Sequence, residues 1–236
     1  MERTLKELVD RLTKTYQDRL VSVVLYGSAA VGDHHGRFSD INVFCVLKQL
    51  TPRELGEGEP VFRWWREKGN PSPLLMSRDE VARSTDCFPI EFRDMKERRR
   101  VLAGSDVVAD LVIGDAFYRA QVEHELRAKL LRLRQKAAGV LSDKGLLLGL
   151  LVDSVSTFCT LFRHALVLAG AEPAFEKRHV VDAAAARFGI EPSPFHALLD
   201  LRERKTKPRD ADPPRLFEQY LKEIQVVVDA VDRLER

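Results

Sequence analysis

Apolar positions at Leu5, Leu8, Val9, Leu12 and Tyr16 recur at helical spacing, with Lys6, Glu7 and Asp10 between them. They predict an opening amphipathic helix that ends near Leu20. The pattern then changes period. Val21-Ser22-Val23-Val24-Leu25-Tyr26 is a short β-branched run cut off by Gly27, and so reads as a strand. A polar stretch with Gly32, Asp33, His34, His35 and Gly36 predicts a loop, and Ile41 to Leu47 is a second run of strand length. Thr51-Pro52-Arg53-Glu54 has the form of a helix start, with a capping hydroxyl, a proline in the first turn and an acid behind it. That helix, or a broken pair, runs towards Lys68 and stops at Gly69-Asn70-Pro71. Leu74 to Met76 predicts another strand, and Ile90-Glu91-Phe92 a further one starting near Cys87.

From Asp115 onward the pattern holds no convincing strand. Phe117, Leu126, Leu130, Leu133 and Ala137 are expected to line one helical face, and Ser142-Asp143 predicts the cap of a strongly apolar helix reaching Leu168. Glycines and prolines divide the remainder into shorter helices, the last from about Pro214 to Leu234. The first half mixes strands and helices while the second is helical, so a boundary is expected between Gly104 and Gly114. The predicted architecture is an α/β (α+β) domain with a mixed sheet over residues 1–112, followed by an all-α helical bundle over 113–236.

Composition narrows the partners. In 236 residues, 38 basic side chains face 36 acidic ones, a net charge of +2. Bulk charge therefore gives no argument for nucleic acid, which needs a locally basic surface. The basic helix from Glu123 to Lys136 has its acids first and its bases last, an order that complements the helix dipole without any partner. Cys45, Cys87 and Cys159 are odd in number and far apart, and each is expected as a buried free thiol. The N-terminus lacks the apolar stretch of a signal peptide, and the most apolar run, Gly145 to Val152, falls short of the ~20 residues that span a bilayer. The expectation is a cytoplasmic protein with no membrane partner.

The informative chemistry lies in Leu25-Tyr26-Gly27-Ser28, then eleven residues, then Asp40-Ile41-Asn42-Val43. A Gly-Ser pair at a strand end lets the backbone approach a phosphate closely, and the serine offers N–H and O–H donors. Residues two apart on a strand share a face, so Asp40 and Asn42 are expected to project towards one site. Oxygen ligands so placed suit a divalent ion such as Mg²⁺, or Mn²⁺ in its stead, and a third acid from a neighbouring strand would complete the set. Glu91, a lone charge between apolar residues, is the candidate for that acid.

This arrangement resembles the polymerase-β-like nucleotidyltransferase superfamily, in particular its small bacterial members joined to a helical bundle. The family pattern is a Gly-Ser, an Asp-x-Asp or Asp-x-Glu about a dozen residues later, and a third acid further on. Gly27-Ser28, Asp40 and Glu91 match it, as do Phe88 to Phe92 and the following Arg100 to Gly104 as the closing strand, and the likeness runs from about Leu5 to Asp110. The resemblance implies nucleotide binding by Gly27 and Ser28, and metal binding by Asp40 and Glu91. It implies catalysis by Asp40, Asn42 and Glu91 that transfers a nucleoside monophosphate from a nucleoside triphosphate to a hydroxyl. The acceptor would be a small molecule or a protein side chain.

Asn42 departs from the pattern. It keeps the shape of the second acid but removes a full negative charge, which weakens any hold on a divalent cation. The alternative is therefore a catalytically inactive nucleotide-binding or regulatory module of the same fold, a homodimer included. Of the remaining candidates, His34-His35 is expected in solvent, because adjacent side chains point apart and no third ligand is evident. Trp64-Trp65 is expected to pack in the core and along a cleft wall, and Lys96 to Arg100 to form a solvated charged segment.

Overall fold

The computed structural model describes residues 1–31, 41–172 and 174–234, without the side chains of Ser28, Val31 and Ala116. The chain divides into two compact units, Met1–Phe117 and Tyr118–Arg236.

The first unit is a four-stranded mixed sheet with helices on both faces. Its elements in chain order are α1 (Glu2–Tyr16), β1 (Leu20–Tyr26), β2 (Asn42–Leu47), α2 (Pro52–Glu67), β3 (Leu74–Ser77), α3 (Arg78–Arg83), α4 (Pro89–Glu97) and β4 (Arg99–Gly104). The strand order is β3-β2-β1-β4, with β1 antiparallel to both neighbours and β2 parallel to β3. The alternation of side chains sorts the two faces. Val23 and Leu25 of β1, with Val43, Cys45 and Leu47 of β2, point to one face and meet Leu5, Leu8, Leu12 and Tyr16 of α1 and Val61 and Trp65 of α2. Val24 of β1, with Phe44 and Val46 of β2, points to the other and meets Val81 of α3 and Phe92 and Met95 of α4. Both strands are thus buried on both faces, which is why they read as unbroken apolar runs.

Thr51 closes the expected capping box with Glu54 at the start of α2. Two expectations fail in this unit. The strand proposed through Ile90-Glu91-Phe92 is the helix α4, and the closing strand comes after it. Pro89 in the first turn fixes a helical φ, and Phe92 and Met95, three apart, both face the sheet. The alternation of Phe88, Ile90 and Phe92 mimicked a strand over five residues, too few to separate the two periods. Cys87, expected buried, is exposed in the turn before α4, while Cys45 and Cys159 are buried free thiols.

The second unit consists of α5 (Asp115–Ala138) from Tyr118 onward, α6 (Lys144–Leu168), α7 (Lys177–Phe188), α8 (Ser193–Arg202) and α9 (Pro213–Arg233). Asp143 caps α6 as its sequence predicts, accepting from the Leu146 N–H at 2.9 Å. Phe158 and Phe162 of α6 pack with Phe195 of α8 and Tyr220 of α9 in an aromatic cluster, with centroid separations from 4.9 to 6.5 Å. At 25 residues, with a mean hydropathy of 1.8 over its most apolar 18, α6 is long and apolar enough by composition to cross a membrane, well beyond the short run taken from the sequence. Its buried residues form the core between α7, α8 and α9.

Candidate active site

The site is built where β1 ends. Gly27 takes φ +77°, a left-handed conformation that costs a residue with a Cβ about 1–2 kcal/mol. Two backbone hydrogen bonds pin it there. Its N–H donates to the Arg98 carbonyl at 3.0 Å, and its own carbonyl accepts from the Ala30 N–H at 3.1 Å, at the start of a 3₁₀ turn over Ser28–Val31. The chain thus leaves the sheet through a fixed turn rather than a loose one. Asp40, His34 and His35 lie outside the described residues, as does the Ser28 side chain.

Asn42 opens β2 and is the register partner of Tyr26, the last residue of β1. A Cβ placed on Gly27 would stand 3.5 Å from Asn42 Nδ2, so the glycine and the amide are immediate neighbours. Period-two alternation puts Asn42 on the face of Phe44 and Val46, and Tyr26 on that of Val24. This is the face that α4 covers, where the Phe44 and Phe92 rings meet edge to face at 6.3 Å. The first turn of α4 carries Glu91, and Asp94 follows three residues later on the same side of the helix. Glu91 is exposed and Asp94 partly so. Burial pushes the Tyr26 phenol up, and the carboxylates of Glu91 and then Asp94 push it the same way. Glu91 therefore acts on the strand end from a helix rather than from the expected strand. Asp94 had no signal while the segment read as a strand, because a residue three places on would then point to the opposite face.

The basic run after α4 is mostly engaged. Lys96 donates to the Leu111 carbonyl at 2.7 Å, Arg99 pairs with Asp106 at 2.9 Å, and Arg100 pairs with Glu2 at 2.8 Å. The Arg99 guanidinium in turn holds the Asp106 carboxyl below its ordinary range. Arg99 and Arg100 tie the closing strand to its surroundings and Lys96 ties α4 to Leu111, while Lys96 and Arg100 stay exposed as expected. Trp65 is buried, and Trp64 is half-buried with the Arg11 guanidinium 4.3 Å above its ring.

Asn42, Glu91 and Asp94 offer oxygen donors, which suit a hard cation in kind. Among the described residues, however, no group of three acidic, histidine or cysteine side chains is gathered for a metal ion. Asp40, the acid expected there, lies outside those residues.

No protein-family model matches the chain, and no curated protein matches it in sequence. Among solved structures it is similar to the spectinomycin adenyltransferase AAD(9) from Enterococcus faecialis, determined with ATP and spectinomycin. The TM-score is 0.61, with 12% identity over 98% of this chain and 99% of that one. The chain shares the fold of that adenyltransferase, with a mixed four-stranded sheet followed by a helical region.

Proposed function

We propose that this protein is a nucleotidyltransferase that moves a nucleoside monophosphate from a nucleoside triphosphate to a hydroxyl of a small molecule, at a rate lowered by Asn42. The observation that carries this reading is the meeting of Gly27, Asn42 and Tyr26 at the strand end with the carboxylate-bearing start of α4. The whole-length likeness to an adenyltransferase solved with ATP and spectinomycin supports the same reaction class.

In this reading the fixed turn at Gly27 presents backbone N–H groups, and Ser28 its hydroxyl, to the phosphates. The acceptor oxygen attacks the α-phosphorus, the bond to the β-phosphate oxygen breaks, and pyrophosphate leaves. Glu91, exposed at the start of α4, takes the proton of the attacking hydroxyl. Asp40 and Glu91 are the acidic groups for a divalent ion, and Asn42 contributes a neutral carbonyl oxygen. An Mg²⁺ or Mn²⁺ ion arriving with the triphosphate would neutralise charge on the transferring group. A cytoplasmic setting fits the three unpaired cysteines.

Asn42 also favours a second reading, a module that binds nucleotide without turnover. Calorimetric titration with ATP, GTP, CTP and UTP, each with and without Mg²⁺, tests the site itself. Metal-dependent heat with any of them, followed by labelling of a hydroxylated aminocyclitol, supports the transferase. Binding without any transfer favours the silent module. No heat from a folded sample sinks both.

A further inference from the structure

The second unit contains a groove that the proposed transfer does not use. It encloses about 180 Å³ between α5 and α6, with Lys129, Arg132 and Lys136 on one wall, Asp153 and Thr157 on the other, and Phe158 in its floor. The three cations are spaced three and four apart, which puts them on one face of α5. Lys129 is held by Glu125 at 3.1 Å. The Arg132 and Lys136 side chains make no ion pair or hydrogen bond among the described residues. Other cations of α5 are satisfied: Arg119 and Arg127 pair with Glu123, and Arg134 donates to the Gln225 side chain. Position near the C-terminal end of α5 accounts for basic residues there, but not for two unpartnered ones lining a concavity.

We propose that this groove binds the phosphate group of a small phosphorylated molecule, with Arg132 and Lys136 as its cationic ligands and Thr157 as a hydroxyl donor. A phosphate monoester offers three acceptor oxygens, which match a planar guanidinium fork, an ammonium and a hydroxyl converging from two walls. Three cations against one carboxylate, Asp153, leave the lining positive. The enclosed volume suits a compact ligand. A nucleic-acid strand would need the positive surface to continue along α5, where the remaining arginines named above are neutralised or engaged.

The test is a titration of the ¹⁵N-labelled full chain with inorganic phosphate, and separately with single-stranded oligouridylate, at constant ionic strength. The expected result is saturable phosphate-induced shifts confined to Lys129–Lys136 and Asp153–Thr157. In the Arg132→Gln, Lys136→Gln double variant they should appear only at about tenfold higher phosphate. Both side chains are exposed, so the double variant should melt with the parent. If it does not, Lys136→Glu alone carries the same comparison. Shifts that never saturate, or that are equal in parent and variant, overturn the proposal. So does saturation by the oligonucleotide and not by phosphate, which would mark a polyanion surface instead.

Discussion

Asn42 faces Tyr26 across the β1–β2 ladder and lies against Gly27, its Nδ2 only 3.5 Å from where a glycine Cβ would stand. In the proposed transferase, the amide stands where a carboxylate would share a divalent ion with the triphosphate. Restoring that charge with Asn42→Asp is expected to tighten Mg²⁺-dependent ATP binding by about tenfold or more, equivalent to about 1.4 kcal/mol. Calorimetry with and without metal measures it. An unchanged affinity would mean that position 42 does not reach the cation.

Glu91 and Asp94 act on Tyr26 as negative charges beside a half-buried phenol, adding to the effect of burial. Glu91→Gln removes the larger of the two carboxylate contributions. The Tyr26 phenol should then ionise at lower pH than in the parent, while staying above its ordinary value because the burial remains. Ultraviolet titration of tyrosinate, with Tyr26→Phe as the subtraction control, reads the change. The same Glu91→Gln variant is expected to lose at least about tenfold in transfer rate if its carboxylate takes the acceptor proton. A titration that does not move would place Glu91 too far from the strand end for that role.

The sheet was legible because its strands are buried on both faces and bounded by strong punctuation: Gly27 after β1, and Thr51-Pro52 at the start of α2. The second unit was legible from apolar spacing and from the Asp143 cap. The stretch from Cys87 to Arg100 was not, because Phe88, Ile90 and Phe92 satisfy a period of two as well as part of a helical turn. Only Pro89, read as a first-turn residue, argued for the helix. The error carried into the site. It put Glu91 on the wrong element, and it hid Asp94. The groove between α5 and α6 could not be read at all, since it depends on how a basic face of one helix meets another.

Acid should weaken the first unit through α2. Glu54 accepts hydrogen bonds from the Thr51 hydroxyl and N–H and from Arg19, and Glu57 accepts from Arg19 and Arg53. Thr51 first for Glu54, and Arg19 first for Glu57, hold the two carboxyls below their ordinary value of 4.5. A carboxyl with a lowered folded-state pKa contributes stability that is complete above its ordinary value and drains away as pH falls through the lower one. The chain's two tryptophans, Trp64 and Trp65, both lie on α2, so their fluorescence reports on this unit alone. The melting temperature read by tryptophan should be flat from neutral pH to about 5 and fall below about 4.5. In Glu54→Gln it should start lower and fall less steeply. Equal slopes in the two proteins would dismiss Glu54 as a source of the acid sensitivity.

Gly104 and Gly69 share a left-handed backbone, at φ +77° and +83°, yet their surroundings differ sharply. A Cβ on Gly104 would come within 2.0 Å of the Val21 carbonyl oxygen and 2.8 Å of its carbon, both backbone atoms of β1. A Cβ on Gly69, just past the end of α2, would meet nothing within 4 Å. Gly69→Ala should therefore cost only the conformational penalty, about 1–2 kcal/mol. Gly104→Ala adds a backbone collision that neither strand can relieve without breaking the β1–β4 register, so its cost should exceed about 3 kcal/mol. Urea unfolding followed by tryptophan fluorescence measures both. The comparison separates strain in φ from crowding, because the first is common to the two sites and the second is confined to Gly104. Similar losses in both variants would mean that β4 can move away from Val21. That would also loosen the Arg98 carbonyl that pins Gly27, so the Gly104→Ala protein should lose nucleotide binding in proportion to its stability.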